Sequence, residues 1–327
     1  MSKTYLAFSY DTEFAVPTKL PTEVISPEEY KKLPLSKKKE VWGDYLGKRL
    51  SENSKGRSTM ELETIKKLND LFLKHNGRFT AFVLGEWLDQ VVEELGQETV
   101  MEYLTGEGTD IQSHSYHNRA YKPIGDSTRE RIAPTLLQSQ ISSEIRGSLE
   151  SIHKNLGVRP IGMRPPMGNT HPLREDDKMI LEALSENGIK FISSWLKKDQ
   201  REPNPVGTKP LTYSSLGFPD IVEIPGIGFY DVHYTQPTRL LVFGEDGNEW
   251  SLEERTEYHI DLLKQAQALA KKREESVFVP LVMHPWSVAN YDPDLKFHEA
   301  ILKFCNKNDI QVVSFNDIYK EVSQEVV

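Results

Sequence analysis

Short apolar runs alternate with amphipathic segments along nearly the whole chain, and this alternation restricts the fold more than any other feature. Strands that alternate with helices over short connections build a parallel sheet with helices outside it. Strands are predicted near residues 6–10, 79–84, 110–112, 161, 190–193, 221–224, 277–283 and 310–313. Helices are predicted over residues 59–75, 86–104, 138–156, 176–187, 252–272 and 294–307. Seven or eight such units predict an α/β fold of the (β/α) barrel type, closed or incomplete.

Reactive side chains follow four of the apolar runs. They are Asp11 and Glu13, His114 and His117, Arg164, and His284. A barrel of parallel strands carries its catalytic groups at the strand ends. Two carboxylates, two close histidines, an arginine and a lone histidine are the components of a metal-assisted hydrolase.

The first two of these segments are candidates for a metal site. His114 and His117 are three residues apart, so one helical turn would bring both rings to a single cation. Such histidines also cap helices or satisfy core hydrogen bonds, so the pair alone leaves metal binding open. Asp11 and Glu13 alternate along an extended strand and would point to the same side, where a cation or an arginine must compensate them. In the alternative, only Asp11 points inward and Glu13 begins a solvated loop.

The other two segments are proline turns. Arg164 stands directly before Pro165-Pro166, and a rigid turn would hold its guanidinium against a buried carboxylate. A surface arginine in a proline-rich turn is the alternative. His284 ends a strand and precedes Pro285-Trp286. A histidine in that setting titrates near neutrality and can donate a proton to a leaving group.

Two segments interrupt the alternation. Residues 14–57 contain several prolines and a lysine cluster, and they begin directly after Glu13. A connection of this length without clear secondary structure is usually functional or mobile. We therefore expect a cap over the site, with a disordered surface insertion as the alternative. Residues 197–218 are expected to form a second rim loop, and the whole chain of 327 residues a single catalytic domain.

The composition excludes several classes of protein. A net charge of -9 argues against a nucleic-acid-binding surface and against electrostatic attachment to anionic lipid. The single cysteine, Cys305, excludes a disulfide within the chain, and its amphipathic run is typical of a buried structural thiol. No apolar run reaches the length that spans a bilayer, and no apolar leader precedes the first strand. A cytoplasmic location is therefore expected.

Taken in this order, the four segments resemble the polysaccharide deacetylase family, the NodB-homology fold of carbohydrate esterase family 4. The resemblance runs from about residue 5 to residue 322. Residues 77–85 resemble the family's second strand, and residues 110–117 its metal-binding histidine segment. Residues 164–168 resemble its Arg-x-Pro-x-Gly motif, and residues 283–285 its late histidine motif. The resemblance implies a distorted (β/α) barrel.

The chain departs from the family pattern in its metal motifs. The family's adjacent aspartates are replaced by Asp11-Thr12-Glu13, a spacing similar to the intracellular branch of the family, which implies Glu13 as the ligand. The family spaces its metal histidines four residues apart, and Asn118 occupies that position after His114. We expect His117 to be the third ligand, with an oxygen of Asn118 as the alternative.

The resemblance implies a role for each of these residues. Asp11 would be the base, Arg164 would keep it ionised, and His284 would protonate the departing nitrogen. A divalent metal ion, expected to be zinc, would be held by Glu13, His114 and His117. Substrate contacts are expected from Met167, Trp286 and Asn118. Met167 replaces the tyrosine of the family motif, and only its backbone N–H is expected to meet the oxyanion.

The implied reaction is hydrolysis of a C–N amide bond, by default the removal of an N-acetyl group from an amino sugar or glycan. An amidase or imidase acting on a small non-sugar amide is the alternative within the fold. A non-catalytic glycan-binding or regulatory barrel is the alternative from another class. A lidded pocket would favour the small amide, and an open groove the glycan. The sequence does not define the oligomeric state.

Overall fold

The computed structural model describes residues 2–14, 20–51, 58–123, 134–198, 202–233, 235, 240 and 250–325. In these ranges nine strands form one sheet: β1 (Thr4–Thr12), β2 (Phe79–Val83), β3 (Thr109–Ser113), β4 (Gly162–Met163), β5 (Phe191–Ile192), β6 (Leu211–Tyr213), β7 (Phe218–Glu223), β8 (Val277–Met283) and β9 (Gln311–Val312). Their order is β6-β7-β5-β4-β3-β2-β1-β8, with β9 beside β1. Only β6 and β7 pair in antiparallel fashion within this set.

Eleven α-helices are present in the same ranges. They are α1 (Pro27–Lys32), α2 (Leu35–Ser51), α3 (Ser58–Lys74), α4 (Gly85–Leu95), α5 (Gln97–Leu104), α6 (Ile141–Leu156), α7 (Lys178–Glu186), α8 (Leu252–Arg273), α9 (Pro285–Tyr291), α10 (Lys296–Lys307) and α11 (Phe315–Glu325). None of these described helices is long and apolar enough to cross a membrane.

The predicted α/β class is confirmed, and the sheet has nine strands where seven or eight were predicted. Its hydrogen-bonded path ends at β6 and β8, which do not pair with each other in the described ranges, so hydrogen bonds do not close the barrel there. The extra strand is β6, which lies inside the segment expected to be a rim loop. Residues 199–201 of that segment lie outside the described residues.

Strand β1 lies at the centre of the core and is buried along its whole length. Alternate residues serve its two faces: Leu6 and Phe8 join the main hydrophobic cluster, whereas Tyr5 and Ala7 join a separate one with Phe315. Burial on both faces explains why the residues from Tyr5 to Phe8 form an uninterrupted apolar run, as is typical of parallel sheets.

The register of the parallel strands aligns the reactive segments. Val83 of β2 is level with Ser113 of β3, which is level with Met163 of β4. His114 and Arg164 therefore follow neighbouring strands at the same height. Tyr10 of β1 is level with Met283 of β8, so Asp11 and His284 also meet at this edge. The predicted placement at the strand ends is confirmed.

The helix predicted over residues 86–104 is wrong as a single element. It is divided into α4 and α5 at Gly96, whose φ of 83° lies in the left-handed region that favours glycine. Apolar residues occur on both sides of the break, so the helix was predicted as one element.

The segment 14–57 was expected to lack clear secondary structure, and the structure corrects this. It contains α1, which begins with a capping box between Ser26 and Glu29, and the 17-residue α2. Trp42 of α2 packs on Leu240, and its indole N–H donates to the Tyr30 hydroxyl at 3.1 Å. Residues 15–19 and 52–57 lie outside the described residues. A capping function for this segment stays a prediction.

Helix α8 gives a prediction about acid stability. Burial lowers the pKa of His259 to about 4 from 6.5, although backbone hydrogen bonds at Arg255 and Phe229 oppose the shift. Between about pH 4 and pH 6.5 His259 is protonated in the unfolded state but not in the folded state. The free energy of unfolding therefore falls as the pH drops from 6.5 to about 4, and His259 does not change it above pH 6.5. A shift of this size is worth on the order of 3 kcal/mol. We expect His259→Gln to flatten the decline in urea-unfolding free energy between about pH 6.5 and 4.5. Replacing the exposed His153 by Gln is the control, and equal slopes for both variants would contradict the assignment.

Candidate active site

One cavity at the carboxyl ends of the strands gathers most of the predicted residues. Its volume is about 90 Å³. Its polar side is formed by Asp11, Glu13, His114, Asn118 and His284. Its apolar side is formed by Met167, Leu196, Tyr230, Val232 and Val282. Reactive groups therefore stand on one side of the cavity, and a wall suited to an uncharged part of a ligand on the other.

Asp11 and Arg164 form a buried ion pair at the base of the cavity. The Arg164 Nη1 donates to Asp11 Oδ1 at 2.7 Å, and its Nη2 donates to Ser193 Oγ at 3.1 Å. The guanidinium is 0 % exposed and lies 4.2 Å from the centre of the Phe82 ring. Burial alone would raise the pKa of Asp11, but the charges of Arg164 and the two cavity histidines outweigh it and lower that pKa. Asp11 is therefore ionised at neutral pH.

His114 is oriented by the backbone of the arginine motif. Its Nδ1 donates to the Arg164 carbonyl oxygen at 2.8 Å, which leaves Nε2 as the nitrogen that carries a lone pair. Nε2 lies 3.6 Å from Glu13 Oε2. Two ligands about 2.0 Å from one tetrahedral cation are themselves roughly 3.3 Å apart. Glu13 and His114 are therefore placed to share a divalent cation.

His284 stands on the other side of Glu13 and is held by Asp231. The Asp231 carboxylate accepts from the His284 backbone N–H at 2.7 Å and from Nδ1 at 2.9 Å. His284 Nε2 lies 3.6 Å from Glu13 Oε1. Burial would lower the pKa of His284, but Asp231 outweighs it, with help from Glu13 and Asp11, and raises that pKa to about 9. The ring is protonated at neutral pH, as a proton donor must be.

Asp231 was not singled out from the sequence. It lies in a short 3-10 turn beyond β7 and 53 residues before His284. Its one available signal was its place after the predicted strand 221–224, at the same edge of the sheet as the reactive segments. Nothing local connects it to His284, because the contact is made only by folding.

The expected third ligand, His117, lies elsewhere. Its Nδ1 and its backbone N–H are both bound by the carboxylate of Glu144 on α6, at 2.8 and 2.9 Å. The His117 side chain is 41 % exposed and does not line the cavity. Asn118 lines it instead, and its side-chain amide donates to Glu13 Oε2. The structure therefore places Asn118, and not His117, beside Glu13 and His114, so the alternative ligand fits the geometry better than the expected one.

A cation site here would have two firm ligands and one weaker one. No group of three or more His, Cys, Asp or Glu side chains suited to a metal is found within the described ranges. Glu13 and His114 supply two such ligands, and the third neighbour is the amide of Asn118, whose nitrogen and oxygen can exchange places by a simple flip. The donor set fits a divalent cation, with less preference for zinc than two imidazoles would give.

Of the two remaining predicted substrate contacts, Met167 and Trp286, only Met167 lines the cavity. Met167 lines the cavity, and the φ angles of Met167 and Gly168 are 73° and 51°, so both lie in the left-handed region. Gly168 is required there because an added Cβ would lie 2.5 Å from the Leu196 side chain. Trp286 was expected to contact substrate, but it is buried and its ring lies 5.1 Å from that of His284. Trp286 therefore supports the histidine and does not line the cavity.

The comparisons with known proteins concern the family and the fold. Residues 59–192 match the family model described as polysaccharide deacetylase, so this part of the chain is similar to that family. The matched part includes His114 and Arg164, whereas Asp11, Glu13 and His284 lie outside it. No curated protein matches the chain significantly.

Two crystal structures with provisional polysaccharide deacetylase assignments share the fold. The one from Mycobacterium smegmatis has a TM-score of 0.60 at 16% identity and covers 100% of this chain and 92% of its own. The one from Pseudomonas aeruginosa PAO1 has a TM-score of 0.55 at 14% identity and covers 99% of this chain and 91% of its own. At these identities the likeness concerns the fold, and the family model supports hydrolytic deacetylation in general.

Proposed function

We propose that this protein is a metal-dependent hydrolase that cleaves a C–N amide bond, with an N-acetylated amino sugar or glycan as its substrate. The observation that carries the proposal is the pairing of charges around the cavity. The ionised Asp11, held by Arg164, and the protonated His284, held by Asp231, face it from different strands. A base and an acid poised in this way are what amide hydrolysis requires.

Each residue has a defined task in this reaction. Asp11 removes the proton from the attacking water, and Arg164 prevents Asp11 from being protonated beforehand. His284 donates its proton to the departing nitrogen, and Asp231 keeps the ring oriented and charged. Glu13, His114 and Asn118 would hold the cation. When bound, the cation polarises the carbonyl and lowers the pKa of water towards roughly 7.

A screen of the purified chain tests the proposal. The protein is stripped with a chelator, reloaded with Zn²⁺, Mn²⁺ or Co²⁺, and incubated with N-acetylated monosaccharides, their oligomers and cyclic imides. We expect release of free amine and acetate from the N-acetylated sugars, and its loss in the stripped protein. A chain that binds no cation and releases no amine would support the non-catalytic alternative.

A cytoplasmic location is also proposed, and fractionation of the producing cells tests it.

A small-amide hydrolase is the second candidate, and one observation favours it. Leu196, Tyr230 and Val282, which line the apolar side of the cavity, are almost fully buried. A cavity walled in this way suits a compact ligand better than a polymer lying in an open groove. Preferential turnover of cyclic imides in the same screen would select this candidate.

The third ligand gives a separate prediction. If Asn118 completes the site, Asn118→Ala should weaken binding of Zn²⁺ or Mn²⁺ by roughly 10- to 100-fold, the range in which even outer contacts of metal sites act. His117→Ala should change it by less than about threefold, because Glu144 holds that ring away from Glu13. Isothermal titration calorimetry measures both. The reverse ranking would return the ligand role to His117.

A further inference from the structure

A fully buried carboxylate ends strand β7, close to the cavity but without a place on its wall. Glu223 accepts hydrogen bonds from the backbone N–H groups of Ser194 and Trp195 at 2.7 and 2.9 Å. It also accepts from the Ser194 hydroxyl at 2.8 Å and from the Tyr213 hydroxyl at 2.6 Å. Burial raises the pKa of Glu223, and these donors oppose the rise. Three of its four hydrogen bonds thus fix one short turn, residues 193–196, which follows β5.

This turn contacts Arg164, which pairs with the base of the proposed reaction. Ser193, its first residue, accepts a hydrogen bond from Arg164 Nη2 at 3.1 Å. The other guanidinium nitrogen, Nη1, donates to Asp11 at 2.7 Å. The position of the turn therefore fixes one of the two hydrogen bonds that aim the guanidinium at Asp11.

The same turn also touches the loop that carries Met167. The Asn169 N–H donates to the Ser194 carbonyl at 2.6 Å, and the Leu196 N–H donates to the Asn169 carbonyl at 3.1 Å. Leu196 packs so closely on Gly168 that no side chain fits between them. The turn and the loop form one hydrogen-bonded unit, and both Leu196 and Met167 line the cavity.

We propose that Glu223 is a positioning residue, which holds the turn 193–196 so that Arg164 and the Met167 loop stay in register with the cavity. The inference deepens the proposed function and rests on it. A buried carboxylate is a costly way to fill space, since an apolar side chain of similar size is often as stable or more so. Here three of its four hydrogen bonds hold a turn that contacts Arg164, the partner of the base Asp11, and the Met167 loop of the cavity wall.

The chain offers a matched control in Asp110. This carboxylate is also buried, and it accepts from Thr80, Gln112 and the Asn316 N–H at 3.0, 2.8 and 3.4 Å. It lies at the start of β3, at the opposite end of that strand from His114. Replacing Asp110 by Ala removes a comparable set of hydrogen bonds without touching the cavity.

The experiment compares kinetics, stability and amide exchange in Glu223→Ala, Glu223→Gln and Asp110→Ala. We expect Glu223→Ala to lower kcat by about 10- to 100-fold, the cost of misplacing reacting groups by about 1 Å. Its KM should change less than kcat, because the turn contributes only Leu196 to the cavity wall. Glu223→Gln should recover most of kcat, because its amide oxygen still accepts from both backbone N–H groups while the two hydroxyls turn to accept. Asp110→Ala should lower Tm but leave kcat unchanged.

Hydrogen exchange separates this proposal from the proposed function. In Glu223→Ala the amides of Ser194, Trp195 and Asn169 should exchange faster, and in Asp110→Ala they should not. If Glu223→Ala does not fold, Glu223→Asp, which withdraws the carboxylate from the turn, takes its place. A wild-type chain that turns over no amide overturns the proposed function, and the exchange result then decides the positioning role alone. Unchanged exchange at Asn169, or equal losses of kcat in Glu223→Ala and Asp110→Ala, would overturn it.

Discussion

Asp11→Asn should lower kcat by roughly 100- to 10,000-fold in a chain that still folds, although the buried Arg164 charge loses its partner and stability should fall by up to about 3–5 kcal/mol. Loss of a positioned general base has this magnitude. In the wild type Arg164 Nη1 donates to Asp11 Oδ1 at 2.7 Å. The side-chain oxygen of the asparagine can accept the same hydrogen bond, so the guanidinium keeps a partner. Steady-state amine release measures the rate, and circular dichroism confirms the fold.

The control for this replacement is Asp110→Asn, which neutralises another buried carboxylate at the opposite end of the sheet. It should leave kcat within about twofold of the wild-type value. A near-normal rate for Asp11→Asn would instead transfer the base function to Glu13, which lies 3.6 Å from both His114 Nε2 and His284 Nε2.

The elements and the reactive edge could be predicted because they depend on local pattern. Apolar runs reveal buried parallel strands directly, and a polar residue that ends such a run marks the same edge on every strand. Asp11, His114 and His284 were placed at that edge for this reason, and the register of β1, β2, β3 and β8 brings them there.

The sequence could not predict which of His117 and Asn118 lies beside Glu13, because that depends on a residue far away in the chain. Spacing permits either residue to face Glu13. The carboxylate of Glu144, which lies 27 residues further along the chain, accepts from the backbone N–H and from Nδ1 of His117. Asn118 is then the residue that faces the cavity. Asp231 was missed for the same reason, since its contact with His284 spans 53 residues. Sequence spacing shows which residues could lie beside Glu13 or His284. Tertiary contacts determine which of them does.

The pairing of Arg164 with Asp11 predicts a large effect on stability. Removing one partner of a buried ion pair leaves the other charge uncompensated and costs about 3–5 kcal/mol. Arg164 is fully buried, so Arg164→Met, which fits the space beside the Phe82 ring, should unfold at a much lower urea concentration than the wild type. It should also lose activity at neutral pH, because burial would then raise the pKa of Asp11.

The double replacement Asp11→Asn/Arg164→Met makes this prediction specific. With neither charge present, the double variant should be more stable than Arg164→Met alone, which mere loss of packing would not produce. The pH dependence of the Asp11 contribution should also reverse. In the wild type the lowered pKa of Asp11 stabilises the fold above its unfolded value of 3.8, and this contribution is lost as the pH falls through the folded value. In Arg164→Met burial is opposed only by His114 and His284, and we expect the pKa of Asp11 to rise. Because His259 and His284 titrate in both proteins, the measured quantity is the difference in unfolding free energy between the wild type and Arg164→Met, which should be larger at about pH 8 than at about pH 5. A double variant less stable than Arg164→Met would show that the guanidinium acts through its packing and not through its charge.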